Sequence, residues 1–346
     1  MPPLECEFNG IRKLQETRVS AASSPSIPIA QMRSVYRCAD IERRLHKLPL
    51  KEHENLRSTY ERMLEKGPER FQVKPAGLPA MDHLYDELPN FHAALDDVKR
   101  QLALCQDSGD ALEIAPMLLL GPPGIGKTHF AREIALLLGT GMGFVSMSSL
   151  TAGWVLSGAS SQWKGARPGK VFETLVDGAY ANPVMVVDEI DKARGEHAYD
   201  PLGALYSLLE HDTAHDFTDE FAEVAIDASQ VFWVATANDG HAIPEPILNR
   251  MSVYEVHAPD RDAARAIALR LYAQLREGHG WGQRFDKTPS DEVLERMSQL
   301  APRDMRRTWT AAFGNAKLDG RDQIELRDLP AAHAAGKRGP LGFVGH

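Results

Sequence analysis

The chain has 346 residues, 43% hydrophobic and 25% charged, with 39 basic against 48 acidic side chains and a formal net charge of −9. That length exceeds one compact core and predicts two or three domains. The acidic balance argues against a sequence-independent nucleic-acid binder.

Three cysteines, Cys6, Cys38 and Cys105, show no metal-ligand spacing and form no complete set of pairs. No apolar run approaches the roughly 20 residues that span a bilayer, and "MPPLECEFNGIRKLQE" lacks a signal-peptide core. The expectation is a cytoplasmic protein with no membrane contact.

Along the chain, "SAASSPSIPIAQ" within residues 1–35 predicts a linker or arm. Residues 36–66 are rich in Leu, Glu, Lys and Arg and stop at Gly67-Pro68, which predicts helix. The prolines of 71–90 predict irregular structure, and Phe91, Leu95, Val98, Leu102 and Leu104 are read as helical spacing over 91–105. From residue 115 the pattern changes. "PMLLLG", "GFVSMS", "PVMVVDE", "VFWVATAN" and "SVYEVHAP" are short apolar runs suited to strands buried on both faces. Helical stretches such as "HFAREIALLLG" and "PLGALYSLLEH" separate them. The alternation predicts an α/β domain with a parallel sheet and flanking helices. Helices alone are expected after Pro259, as a small all-α domain, before a Gly-rich tail. The division reads 1–75 as an arm and mostly helical region, 76–258 as the large domain, 259–335 as the small helical domain and 336–346 as tail.

The first strand runs into "GPPGIGKTHF", a full G-x-x-x-x-G-K-[ST] match between strand and helix. Gly121, Pro122, Pro123, Gly124, Ile125 and Gly126 form a loop whose N–H groups can cradle phosphates at a helix N-terminus. Lys127 is placed on the outer phosphates and Thr128 on Mg²⁺. "VMVVDEID" ends a buried strand in two carboxylates: Asp188 to hold Mg²⁺ through water, Glu189 to polarise the attacking water. A third strand ends at Asn238, expected beside the γ-phosphate because ligands gather at the carboxyl ends of parallel strands. ATP and Mg²⁺ are the implied ligands.

Taken together, these residues resemble the AAA+ ATPases, and most specifically the ATPase module of the Lon protease family. The likeness covers about residues 80–325 and runs through "PGKVFETL", "NPVMVVDEIDKA", "DPLGALYSLLE", "FTDEFAEVAIDASQVFWVATAN" and "IPEPILNRMSVYEV". It implies a P-loop AAA+ sheet followed by a helical lid. It implies that Arg250 is an arginine finger reaching a neighbour's γ-phosphate, hence a ring of copies, most simply a hexamer. Arg303, in "LAPRDMRRTW", falls at the lid's sensor position; Ala-Pro precedes it where the family has Gly-Val or Gly-Ala, and Arg306 and Arg307 compete for the place.

The resemblance also gives a reading of "SSQWKGARPGK", where a tryptophan sits among small and basic residues. It aligns with a substrate-gripping pore loop in which Trp163 is the aromatic, Gly165 the glycine, and Lys164 replaces an aliphatic residue. An exposed tryptophan offers contact area with no sequence preference. A second loop, "ARGEHAYD", would bring Tyr199 to the same channel. No peptidase dyad is expected in the roughly 20 residues after the likeness ends at about 325. The expected function is an ATP-driven ring that unfolds, remodels or translocates protein, with residues 1–75 recognising a substrate or partner. The alternatives are a nucleic-acid motor or loader, and a nucleotide-gated scaffold.

Overall fold

In the computed structural model the residues described are 28–49, 53–106, 108, 110–149, 153–163, 165–193 and 200–330. The N-terminal part runs β1 (Pro28–Ser34), α1 (Cys38–Lys47), α2 (Glu54–Lys66), β2 (Glu69–Pro75), α3 (Asp82–Glu87) and α4 (His92–Leu104). Then come β3 (Met117–Leu120), α5 (Lys127–Leu138), β4 (Met142–Ser146), α6 (Lys170–Phe172), β5 (Val184–Asp188), α7 (Leu205–Leu208) and α8 (His211–Ala214). A hairpin of β6 (Phe217–Thr218) and β7 (Ala225–Ile226) precedes β8 (Phe232–Ala237), α9 (Glu245–Leu248) and β9 (Ser252–Glu255). The chain then continues as α10 (Arg261–Glu277), α11 (Asp291–Ser298) and α12 (Pro302–Leu318).

The five apolar runs form one parallel sheet in the order β4-β5-β8-β3-β9. Successive strand side chains point to opposite faces, and here both faces are covered. Val184, Val186, Phe232, Val234, Met117 and Leu119 pack with α3, α4 and α5. Met185, Val187, Trp233, Ala235 and Leu118 pack on the opposite side. That is why the strands read as unbroken apolar runs. The second layer also takes in Ile41, Leu56, Tyr60 and Met63, so α1 and α2 share the core of the sheet domain. Tyr60 is buried and donates to Ala222 O at 2.7 Å.

Three expected features differ. Residues 28–31, read as linker, lie in β1, which pairs antiparallel with β2 from Pro28↔Pro75 to Ser34↔Glu69. The start of 71–90, read as irregular, is therefore a strand, followed by the short α3. "PLGALYSLLEH" yields only α7, because Pro201 and Gly203 occupy turns before it. Residues 1–27 and 331–346 lie outside the described residues.

The small domain is helical through residue 318, with its own core. Tyr272 stacks on Phe313 and meets Trp309 edge-on, with ring centroids 5.0 Å apart in both pairs. Trp309 Nε1 donates to Ala268 O at 2.9 Å, so the large ring is buried with its polar atom satisfied. Asp260 caps α10 through Ala263 N at 2.8 Å, and Pro302 opens α12 with its fixed φ.

Candidate functional site

The connection from β3 runs past β8 and β5 to edge strand β4, whereas that from β8 crosses β3 to the opposite edge at β9, so a crevice opens at the carboxyl ends of β3 and β8. The loop 121–126 fills the β3 end and leads into α5. Gly124 and Gly126 have φ of +82° and +106°, left-handed values that a side chain resists. At Gly121 a Cβ would lie 2.0 Å from Val256 O, so only glycine lets the loop pass the backbone just after β9. Lys127 Nζ donates to Gly121 O at 2.5 Å, to Pro122 O at 2.9 Å and to Asn238 Oδ1 at 3.0 Å. Burial holds this ammonium below its ordinary pKa; the carboxylates of Asp188, Asp191 and Glu189 oppose that shift.

β5 brings Asp188 to the same edge, with its Oδ1 3.3 Å from Thr128 Oγ1. Glu189 follows with φ 56° and ψ 49°, a strained value for a residue with a side chain. Thr236 explains how it is held. This fully buried threonine donates to Asp188 Oδ1 at 2.5 Å and accepts from Glu189 N at 3.0 Å. Sequence reading passed over Thr236. Its signal was a single polar residue inside an apolar strand, two places before Asn238 and thus on the same face.

The lid closes the crevice into a cleft of about 430 Å³ lined on one side by Lys127, Asp188, Glu189 and Asn238 and on the other by Arg303 and Arg306. Arg303 N donates to Gly124 O at 3.3 Å, so α12 begins against the phosphate loop itself. Arg307 turns away to pair with Asp304 at 3.2 Å and does not line the cleft, which leaves Arg303 and Arg306 facing it. At the mouth, the His129 ring bridges two carboxylates, Nε2 at 2.9 Å from Glu87 and Nδ1 at 3.7 Å from Glu133.

Two sequence-predicted sites stand apart from this cleft. Arg250 does not line it. Its Nε lies 2.6 Å from Glu210 Oε1, its NH1 donates to Pro246 O at 2.6 Å, and its guanidinium lies over the Tyr206 ring. Trp163 is 47% exposed on a tight loop where Trp163 N donates to Ser160 O and Ala166 N donates to Trp163 O. Gly165 follows with φ +83° and open space around it. Lys164 and Tyr199 lie outside the described residues. No helix among the described residues is long and apolar enough to cross a membrane.

Residues 117–257 match the family described as "ATPase family associated with various cellular activities (AAA)". The chain is 33% identical to a Lon protease of Halothermothrix orenii over 204 residues, 58% of this chain and 26% of that protein. It is 30% identical to the peroxisomal Lon protease homolog 2 of Danio rerio over 302 residues, 86% of this chain and 35% of the relative. The chain thus spans about a quarter to a third of the length of these curated relatives. A solved Hsp104 complex with ATPγS and FITC-casein shares the fold with a TM-score of 0.55 at 18% identity, over 79% of this chain and 49% of that one. Residues 117–257 thus match an AAA ATPase domain, and the chain, with its glycine loop, acidic strand end and helical lid, resembles the ATPase module of the Lon protease family.

Proposed function

We propose that this chain is the subunit of an ATP-hydrolysing ring that pulls on or remodels protein substrates. One observation carries the reading: a cleft that gathers Lys127, Asp188, Glu189 and Asn238 coexists with a glycine-flanked loop outside it that exposes Trp163. Such a loop suits contact with an extended polypeptide in a central channel. Lon relatives over the same residues support a protein substrate.

In the cleft, the N–H groups after Gly124 and the N-terminus of α5 bind the phosphates of ATP. Lys127 neutralises the outer phosphates, exchanging its bond to Asn238 Oδ1 for a phosphate oxygen while the Gly121 and Pro122 carbonyls hold its other two donors. Thr128 and Asp188 fit Mg²⁺, since a hydroxyl and a carboxylate oxygen 3.3 Å apart are hard donors sharing one wall of the cleft. When bound, Mg²⁺ offsets charge on the transferring phosphoryl group. Glu189 accepts hydrogen-bonding from the attacking water and increases its nucleophilicity, and Asn238 orients the γ-phosphate end. Arg303 links the phosphates to α12, so a change in nucleotide moves the lid.

Arg250 completes the site in trans. It lies outside its own cleft, held by Glu210, which supports action on a neighbour and therefore a homo-oligomeric ring, most simply a hexamer. Residues 1–75 serve recognition, 76–258 hydrolysis and 259–335 the motion. Lys164, Gly165 and Tyr199 join Trp163 at the substrate. The free Cys38 and Cys105 suit the reducing cytoplasm.

A photo-crosslinking side chain at position 163 tests this. Crosslinks to unfolded casein that require ATP are expected. Crosslinks to single-stranded DNA in its place would move the substrate class to nucleic acid. A ring that hydrolyses ATP and crosslinks to neither would act as a nucleotide-gated scaffold.

A further inference from the structure

The loop that carries Trp163 is closed at its base by two glycines. A Cβ on Gly169 would lie 2.2 Å from Leu156 O and 2.4 Å from Gly158 N. A Cβ on Gly158, whose φ is +86°, would lie 2.8 Å from both carboxylate oxygens of Asp219. The outgoing and returning segments also share the bond from Ala159 N to Arg167 O at 3.0 Å. These contacts press the loop base against a residue 50 positions away, on the β6–β7 hairpin.

Asp219 is fully buried. Its Oδ1 accepts from Phe221 N at 3.0 Å and Ala222 N at 2.9 Å, which shapes the hairpin turn. Its Oδ2 accepts from Gly169 N at 2.8 Å, which is the loop. A second tie runs beside it: Glu220 N donates to Ser157 O at 2.6 Å, and Ser157 Oγ donates to Glu220 Oε1 at 3.0 Å. Burying a carboxylate on neutral N–H groups is costly. Burial raises its pKa to about 6, the three N–H groups oppose this, and the neighbouring Glu220 carboxylate adds to it. Among common side chains of this size only a carboxylate offers acceptors at both ends with no donor; asparagine would turn an NH₂ toward one N–H.

We propose that Asp219 is a positioning residue for the substrate loop, tying the β6–β7 hairpin to Gly169 so that hairpin and Trp163 loop move as one body. The hairpin runs into β8 and so to Asn238, and Gly169 opens α6, which leads to β5 and Asp188. The unit therefore joins the two strands that end at the nucleotide. This inference rests on the reading of Trp163 as a polypeptide contact.

Asp219→Asn in the full chain tests it, with amide hydrogen exchange and casein-stimulated ATP hydrolysis measured together. The amide oxygen keeps the Phe221 and Ala222 pair, and its NH₂ faces Gly169 N–H. Exchange in segment 157–170 is therefore expected to rise about 10-fold or more, with the hairpin changed less. The casein concentration for half-maximal stimulation is expected to rise several-fold, with KM for ATP unchanged. Ser157→Ala, which removes only the side-chain part of the second tie, gives smaller changes in the same direction and guards against misfolding of the first variant. Unchanged exchange in 157–170 in both variants overturns the tie. Raised exchange with wild-type stimulation overturns the positioning role if Trp163→Ala abolishes stimulation. If Trp163→Ala also stimulates normally, the failure lies with the substrate reading, and the positioning role falls with it.

Discussion

Replacing Thr236 with valine keeps the shape of a fully buried side chain and removes its hydroxyl. Two bonds go with it. The donor to Asp188 Oδ1 at 2.5 Å has a charged acceptor, and such bonds contribute about 1.5–3 kcal/mol. The acceptor for Glu189 N at 3.0 Å is neutral and contributes about 1 kcal/mol. Glu189 holds a left-handed φ of 56°, and without its N–H partner it can relax toward ordinary backbone and swing its carboxylate from the cleft. A combined loss of about 2–4 kcal/mol is expected, shared between folding and the reaction. If about 2 kcal/mol of it falls on the transition state, kcat drops about 30-fold. Nucleotide affinity should stay within about 3-fold, because Lys127 and the phosphate loop keep their partners. Steady-state hydrolysis, thermal unfolding and binding of a fluorescent ATP analogue measure the three quantities. Thr236→Ser, which retains the hydroxyl, should recover most of kcat. Wild-type kcat and unfolding temperature in Thr236→Val would refute the positioning of Glu189 through Thr236.

Gly121→Ala forces a Cβ to 2.0 Å from Val256 O; overpacking there should cost about 1–3 kcal/mol and abolish measurable nucleotide binding, and a fluorescent-analogue titration with wild-type affinity would contradict it. Arg250→Ala and Lys127→Ala should each abolish hydrolysis alone, while equal mixtures regain activity, because about a quarter of the interfaces in a randomly assembled ring pair an intact Lys127 with an intact Arg250. Mixtures as inactive as either parent would show that Arg250 does not act across subunits. Burial raises the folded pKa of Asp219 to about 6, above the ordinary 3.8, so its contribution to stability is full below about pH 4 and is lost as pH rises through about 6. The stability of Asp219→Asn relative to wild type should therefore rise between pH 4 and 7 by up to about 3 kcal/mol; a pH-independent difference, read from unfolding curves, would argue against that burial cost.

The phosphate loop was legible because its chemistry is local. Positive φ at Gly124 and Gly126 and the close pass at Gly121 demand glycine at those positions whatever surrounds them. The sheet was legible because strands buried on both faces admit few polar residues. β1 was not, since "PIAQMRS" takes its conformation from pairing with β2 some 40 residues on, a contact that no local pattern carries. Asp219 lies within "FTDEFAEV", one of the segments that carry the Lon resemblance, and by composition it reads as a solvated acid. Its burial depends on Gly169, 50 residues earlier, and only the folded chain brings the two together. The three arginines of "PRDMRR" could not be ranked from spacing; the helix phase of α12 and the Asp304 pair turn Arg307 out of the cleft.

The measurement that bears most directly on the account is ATP hydrolysis by the purified protein, alone and with an unfolded polypeptide, for wild type beside Trp163→Ala and Glu189→Gln. The account predicts stimulation by unfolded polypeptide in the wild type, none in Trp163→Ala, and no turnover in Glu189→Gln. Stimulation that persists in Trp163→Ala, or that comes only from DNA, would contradict a polypeptide-pulling ring.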